Sequence, residues 1–577
     1  MIKPFVSFFV VALLFISCKK DNTQGIIEPE EVGNIARNAM VVSARQEASE
    51  IGLSMMRRGG NAFDAMVATH FALAVTYPYA GNLAGGGFLV YRLENSISET
   101  LDFREKAPMA ASRNMFLDEK GNVIEGLSTK GALAVGVPGS VEGILTAHAE
   151  YGKLPLKVIL EPVIALSKNG FVVTKKQAER FSKYDSIFKE VNEKQILFNA
   201  LIKEGDTLKN VQLAKTLERI SEFGYEDFRT GKSADVLVNF LSAKGGIITH
   251  EDLKNYESKW RKPLTFNYKD LRVISMAPPS SGGICMGQIL KTLEPFDLQS
   301  YGHNSKKTIQ VFTEAARRSY ADRSFFLGDP DFVDIPKRHL MSDVYLEHRM
   351  QDFNFNQATS SDSISPGMIE GYTYETDMEL SESNETTHYS IVDGYGNAVS
   401  VTTTLNGAYG SKLFVDELGI FLNNEMDDFS SKPGTPNLYG LIGAEANSIE
   451  PEKRMLSSMT PTIVEKDGEL WMVVGTPGGS SIITTVAQVI LNVEEFGMSM
   501  QEAVDAPRFH HQWLPDQITF EPNKFDKKLL QQLNKLGYKT IEKLNIITGK
   551  VDAILVREDG SYEGGADSRG DDSAKGY

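Results

Sequence analysis

The feature that most constrains this chain is an abrupt junction at Thr386. Residues 359–385 are rich in Ser, Thr, Asp and Glu and poor in residues that fill cores, which is the composition of a solvated loop. The loop runs directly into Thr386-Thr387-His388-Tyr389-Ser390-Ile391-Val392-Asp393. A turn, Gly394-Tyr395-Gly396-Asn397, then leads into Ala398-Val399-Ser400-Val401-Thr402-Thr403-Thr404. Two β-branched runs joined by a Gly/Asn turn predict a β-hairpin. A threonine therefore opens the first strand. Were the chain cut there, Thr386 would carry a hydroxyl nucleophile and a free α-amine. That amine, with a reference pKa of about 7.7–8.0, is a base near neutral pH. By residue pattern alone, a Thr pair opening a strand is equally an ordinary boundary between loop and strand.

The rest of the chain alternates between helical and strand patterns. Apolar spacing predicts helices over 46–57, 61–75, 154–169, 213–223, 234–243, 308–323 and 482–493. Gly85-Gly86-Gly87 leads into a strand at 88–91, and further strands are predicted at 272–276, 462–464 and 470–474. A chain of 577 residues is long enough for two ordinary domains or one large layered α/β domain. No internal repeat or coiled-coil pattern is present.

Residues 1–17 have the pattern of an export signal, with Lys3 ahead of a nearly unbroken apolar run over 4–16. That run is short for a spanning helix. Ser17-Cys18 closes it as a small residue followed by Cys, which resembles a bacterial lipoprotein cleavage site, although Phe15 departs from the usual aliphatic residue. Cys18 is the expected lipid-attachment residue, and 18–38 the expected polar tether of a periplasmic or cell-surface protein anchored to a membrane. Several acyl chains would anchor it stably, at about 0.8 kcal/mol per buried methylene. An uncleaved anchor and plain secretion are the alternatives. The other cysteine, Cys285, lies in an apolar stretch and is expected in the core. The net charge of −16 argues against nucleic acid as a partner, since phosphate binding needs clustered Lys and Arg.

Many short motifs follow one another in a single collinear order. They are Asp102-Phe103-Arg104-Glu105-Lys106-Ala107-Pro108, Gly136-Val137-Pro138-Gly139-Ser140, Ala277-Pro278-Pro279-Ser280-Ser281-Gly282-Gly283, Ala321-Asp322-Arg323, Glu385-Thr386-Thr387-His388-Tyr389-Ser390, Thr402-Thr403-Thr404-Leu405-Asn406, Phe421-Leu422-Asn423-Asn424-Glu425-Met426-Asp427-Asp428-Phe429, Leu456-Ser457-Ser458-Met459-Thr460-Pro461, Thr476-Pro477-Gly478-Gly479-Ser480 and Ala506-Pro507-Arg508-Phe509-His510-His511. In this order they resemble the γ-glutamyltranspeptidases, and the resemblance covers almost everything after the tether. It implies the fold of the N-terminal-nucleophile hydrolases, a four-layered αββα sandwich. It also implies autocleavage between Glu385 and Thr386, giving a large subunit over 39–385 and a small subunit over 386–577 that stay together in one domain. The implied activity is γ-glutamyl transfer and glutathione hydrolysis through an acyl-enzyme on Thr386, with water, an amino acid or a peptide as acceptor.

The resemblance also implies the site. Thr404 would orient the Thr386 hydroxyl, and the N–H groups of Gly478 and Gly479 would form an oxyanion hole. Arg104, Ser457 and Ser458 would hold the substrate α-carboxylate, whereas Glu425 and Asp428, assisted by Asn406, would hold its α-ammonium. The chemistry suits these residue types: a guanidinium fork matches a carboxylate, and glycine permits close backbone approach. Taken singly, Arg104 is equally a surface ion pair, the acidic run a turn, Ser457-Ser458 a helix cap and Pro477-Gly478-Gly479 an ordinary turn. Residues 433–444, with Tyr439, fit a lid over the pocket. His510 and His511, being adjacent, would point to opposite faces of extended chain, so they are expected to be structural. No cofactor and no metal are expected.

Two other activities share this implied fold. A glutaryl-type cephalosporin acylase would need no acidic site for an ammonium, and a poly-γ-glutamate transpeptidase would need an open groove in place of the lid. A non-catalytic, surface-binding lipoprotein is the remaining alternative.

Overall fold

The computed structural model describes residues 32–372, 386–435, 437, 441–542 and 549–577. The expected export signal, Cys18, Glu385 and Tyr439 lie outside the described residues, as does 373–385 of the polar loop.

Two seven-stranded sheets form the centre. From edge to edge, the first contains Ser573–Gly576, Met40–Ser43, Thr387–Val392, Ala398–Thr404, Gly86–Arg92, Ser98–Asp102 and Lys259–Arg261. The second contains Asn34–Ala36, Tyr562–Ala566, Asp552–Val556, Glu469–Gly475, Thr462–Lys466, Leu271–Ser275 and Leu264–Tyr268. Every pairing within these sheets is antiparallel.

Side-chain alternation shows why the sheets stack. Along Met40–Ser43, Val41 joins one apolar core while Met40 and Val42 join another. Along Gly86–Arg92, Leu89 and Tyr91 face the first core and Phe88 and Val90 the second. Both faces of the first sheet are therefore buried, as a period of two requires in a strand between layers. The first core is closed by helices Gln46–Arg57, Ala62–Thr76, Ser140–Tyr151 and Leu156–Asn169. Beyond the second sheet lie Gly282–Leu293, Lys306–Phe326 and Ile482–Glu494. The result is the four-layered αββα sandwich. Helix Ala62–Thr76 is buried along its whole length, which its small alanines permit. Its start is fixed by a reciprocal cap in which Asn61 accepts from Asp64 N and Asp64 accepts from Asn61 N.

The predicted hairpin is present, with Thr387 opposite Thr403 and Val392 opposite Ala398. The expected tether is corrected at its end. Asn34–Ala36 pairs with Tyr562–Ala566 as an edge strand, and the N–H groups of Arg37 and Asn38 donate to the Tyr577 carbonyl. Pairing at a sheet edge uses backbone groups, so this short segment joins the fold with only Ala36 of its three side chains buried in the core. Cys285 is fully buried, and burial pushes its thiol up to about 12, so it is an inert core residue.

Candidate active site

Thr386 stands at the head of the strand Thr387–Val392, buried to 3% exposure. Its Oγ1 lies 3.5 Å from Oγ1 of Thr404, the last residue of the neighbouring strand. The Asn406 N–H donates to Thr404 Oγ1 at 2.7 Å, so one acceptor site of that oxygen is taken and its proton can be given to Thr386. His388, two residues along, bonds Thr402 Oγ1 at 2.8 Å and Ser390 Oγ at 3.1 Å. Burial pulls its imidazole down to about 3, so it stays neutral and supplies structure between the sheets.

Two glycines make this packing possible. A Cβ on Gly85 would meet the Thr404 carbonyl oxygen at 2.0 Å, and one on Gly86 would meet Glu105 Oε2 at 2.3 Å. Only a bare backbone lets the 102–107 segment lie against the strands that carry Thr386 and Thr404. Asp102 anchors that segment by accepting from Arg104 N at 3.0 Å and from Arg261 Nε at 2.7 Å.

Arg104 is 1% exposed, and its partners are acidic. It donates to Glu425 Oε1 and to Asp428 Oδ2, and its Nε donates to the Met455 carbonyl at 3.3 Å. Glu105 Oε2 lies 3.6 Å away. Glu425 and Asp428 reach the same guanidinium because they begin and end one turn of 3-10 helix, in which positions three apart eclipse. That turn is pinned by Asn423, which accepts from Glu425 N and donates to the Ala84 and Gly136 carbonyls. The sequence reading places Arg104 and the two acids at opposite ends of a substrate. In the structure they touch, because a buried cation takes the nearest carboxylates.

Burial raises Glu105 to about 7 and Glu425 well above the ordinary carboxylate range, with Arg104 pulling both down. Burial likewise raises Asp428 against the pull of Arg104. Burial opposes the charge on Arg104, yet Glu425, Asp428 and Glu105 hold its pKa above the ordinary value.

Ser457 and Ser458 are held by their neighbours. The Ser457 N–H donates to the Pro279 carbonyl at 2.9 Å, and Ser457 Oγ accepts from Met459 N at 3.1 Å. Ser458 Oγ accepts from Arg323 Nη2 at 3.1 Å. Asn406 holds a positive φ of 69°, and its Nδ2 donates to the Asn424 carbonyl at 3.0 Å. Gly478 and Gly479 have φ of 139° and 55°, backbone that side chains disfavour, at the start of the turn entering helix Ile482–Glu494. Gly479 lines the pocket, whereas Gly478 lies just behind, its carbonyl accepting from Ser481 N and Oγ. Within 433–444, Asn437 Nδ2 donates to Asp428 Oδ1 at 3.2 Å and Leu441 lines the pocket. His510 and His511 are buried on Thr484, Gln512 and the Gln517 carbonyl, as structural histidines are.

Thr386, Thr404, Asn406, Arg104, Glu425, Asp428, Ser457, Ser458 and Gly479 thus line one pocket with about 290 Å³ of empty space. Arg323, Met459 and Ile482 complete its wall. Sequence reasoning gave no role to Glu105 or Arg323, although both lie in motifs that carry the family resemblance. Such an arrangement can hold a small zwitterion beside a hydroxyl nucleophile.

The family described as Gamma-glutamyltranspeptidase matches residues 48–577. The chain is 44% identical over 547 residues to the glutathione hydrolase proenzyme of Escherichia coli (strain K12), covering 94% of this chain and 92% of that protein. It is 36% identical over 546 residues to the glutathione hydrolase proenzyme of Bacillus subtilis (strain 168), covering 93% and 91%. Among solved structures, the cephalosporin acylase from Bacillus halodurans matches with a TM-score of 0.83 at 24% identity, over 97% of this chain and 99% of that one, a likeness of fold. The Helicobacter pylori gamma-glutamyltranspeptidase matches with a TM-score of 0.57 at 40% identity, over 60% of this chain and 100% of that one.

Proposed function

This chain belongs to the γ-glutamyltranspeptidase family, and on that premise we propose that it cleaves itself before Thr386 and then takes γ-glutamyl groups from glutathione and related amides. In the first stage Thr386 Oγ1 attacks the Glu385 carbonyl carbon and the peptide nitrogen leaves as the Thr386 amine. Water then hydrolyses the ester, releasing the Glu385 carboxylate and restoring the hydroxyl. The products would be a large chain ending at Glu385, with 39–385 as the large subunit, and a small one over 386–577. The sheets support their staying together. Thr387–Val392 and Ala398–Thr404 of the small subunit lie between Met40–Ser43 and Gly86–Arg92 of the large one.

In the second stage the Thr386 hydroxyl attacks the γ-carbonyl, its proton passing to the freed amine, and an acyl-enzyme forms as the amine product leaves. Thr404 orients the nucleophile. The N–H groups of Gly478 and Gly479 meet the developing oxyanion, where one such donor is worth roughly 3 kcal/mol of barrier. Water, an amino acid or a peptide then takes the acyl group.

The observation that carries the substrate class is the ion cluster beside Thr386. A γ-glutamyl group brings a carboxylate and an ammonium of its own. Inserted between Arg104 and the Glu425–Asp428 pair, it gives each buried charge a new partner: the carboxylate takes Arg104, Ser457 and Ser458, and the ammonium takes Asp428, Glu425 and Asn406. A glutaryl group has no ammonium. It would part Arg104 from the acids and leave them uncompensated, at a cost of about 3–5 kcal/mol for a broken buried pair. Rates on γ-glutamyl-p-nitroanilide and glutaryl-p-nitroanilide test this. We expect a preference of at least about 100-fold for the first, and equal rates would refute it.

The reading extends to the cell. Residues 1–17 would direct export and Cys18 would carry lipid, anchoring the enzyme at the periplasmic or outer surface. The apolar run and the Ser17-Cys18 junction support this. Labelled palmitate should enter the wild type and not Cys18→Ala; equal labelling of both would refute the anchor.

A further inference from the structure

Arg323 reaches the pocket from helix Lys306–Phe326 and is 4% exposed. Its Nε donates to Ser281 Oγ at 2.9 Å and its Nη2 to Ser458 Oγ at 3.1 Å. Ser281 in turn donates to the Ser457 carbonyl from its hydroxyl, at 2.7 Å, and from its backbone N–H, at 2.8 Å. One guanidinium therefore grips both serines: the hydroxyl of Ser458 directly, and the backbone of Ser457 through Ser281.

The direction of these bonds matters. A hydroxyl has one proton to give, and a guanidinium only donates. Ser458 Oγ is committed as an acceptor toward Arg323, so its single proton must point elsewhere, and Ser458 lines the pocket together with Arg323. A bond from a charged donor also polarises the hydroxyl and strengthens what it donates onward. Lysine could not copy this, because a single ammonium lacks the planar fork that spans two serine oxygens.

We propose that Arg323 is a positioning residue that fixes the Ser457–Ser458 pair as hydrogen-bond donors to the substrate carboxylate. This rests on the γ-glutamyl reading above. Arg323 does not touch the reacting atoms, so its loss weakens binding more than turnover.

The test is steady-state kinetics on γ-glutamyl-p-nitroanilide for Arg323→Gln, Ser458→Ala and the double variant, each verified as two processed chains. Arg323→Gln should raise KM by about 10- to 100-fold while kcat stays within about threefold. In the Ser458→Ala background the same substitution should raise KM by no more than about fivefold, because its main target is gone. An unchanged KM, or equal effects in both backgrounds, would overturn the proposal. Should Arg323→Gln fail to process, Arg323→Lys carries the test: a raised KM with kcat retained supports it, and a wild-type KM overturns it. If the wild type accepts glutaryl-p-nitroanilide equally well, the substrate reading fails by itself. The glutaryl group still carries a carboxylate, so the Arg323 effect remains measurable on that substrate.

Discussion

Oγ1 of Thr386 lies 3.5 Å from Oγ1 of Thr404, where one central strand begins and its antiparallel neighbour ends. The strand register puts the two hydroxyls together, with Thr387 opposite Thr403 just inside them. The proposed nucleophile thus stands on rigid, paired backbone, where small displacements are hard to make and expensive in rate.

Replacing Thr404 by Val keeps the shape and removes the oxygen. The side chain is buried, and its Oγ1 also caps the Asn406 N–H. We expect kcat to fall by about 10- to 100-fold with KM changed little, whereas Thr404→Ser retains most activity. Full kcat in Thr404→Val would remove the orienting role.

Asp428→Asn should act on substrate binding. The acid accepts from Arg104 and from Asn437 and is the most exposed of the cluster. KM for γ-glutamyl-p-nitroanilide should rise by about 30-fold or more, from losing a charge-assisted contact. Glutaryl-p-nitroanilide, having no ammonium, should lose little. A proportionate loss on both substrates would deny Asp428 its assignment to the ammonium.

Glu105 makes stability depend on pH in a direction that can be worked out. Burial raises its carboxyl from 4.5 to about 7, against the pull of Arg104. Below about pH 4.5 it is protonated folded and unfolded, and its contribution is fully present. As pH rises toward 7 the unfolded chain loses the proton first, so stability falls, by at most about 1.4 kcal/mol per pH unit for one proton. Glu105→Gln should be free of this loss. Denaturant unfolding of both proteins across that range would show their difference widening and then levelling; parallel curves would contradict it.

Gly86→Ala tests the packing. The added Cβ would meet Glu105 Oε2 at 2.3 Å and the Phe103 carbonyl oxygen at 2.7 Å. Overpacking of this kind costs about 1–3 kcal/mol, and we expect a lower Tm with weakened substrate binding, since Arg104 lies on the displaced segment. An unchanged Tm would show the segment to be more yielding than the structure indicates.

Much of this architecture was legible in local sequence. The helices Gln46–Arg57 and Ala62–Thr76 were legible from their apolar residues, whereas the cap by Asn61 appears only in the structure. The hairpin was clear because alternation and turn chemistry agree. Sheet order was not legible: Ser573–Gly576 pairs with Met40–Ser43, and no local pattern encodes a bond between the two ends of a chain. For the same reason Asn34–Ala36 read as tether, since its pairing is made by backbone. In the site, residue types and their motifs pointed to Thr386, Arg104 and Asp428. The contact between Arg104 and both acids, and the grip of Arg323 on Ser458, depend on distances between remote segments, which spacing along the chain does not carry.

The most direct test is the N-terminal sequence and intact mass of the purified polypeptides. We predict two chains, the smaller beginning at Thr386, and a single inactive chain for Thr386→Ala. A wild type that stays in one piece while hydrolysing γ-glutamyl-p-nitroanilide, or whose smaller chain begins at another residue, would contradict the catalytic role given to Thr386.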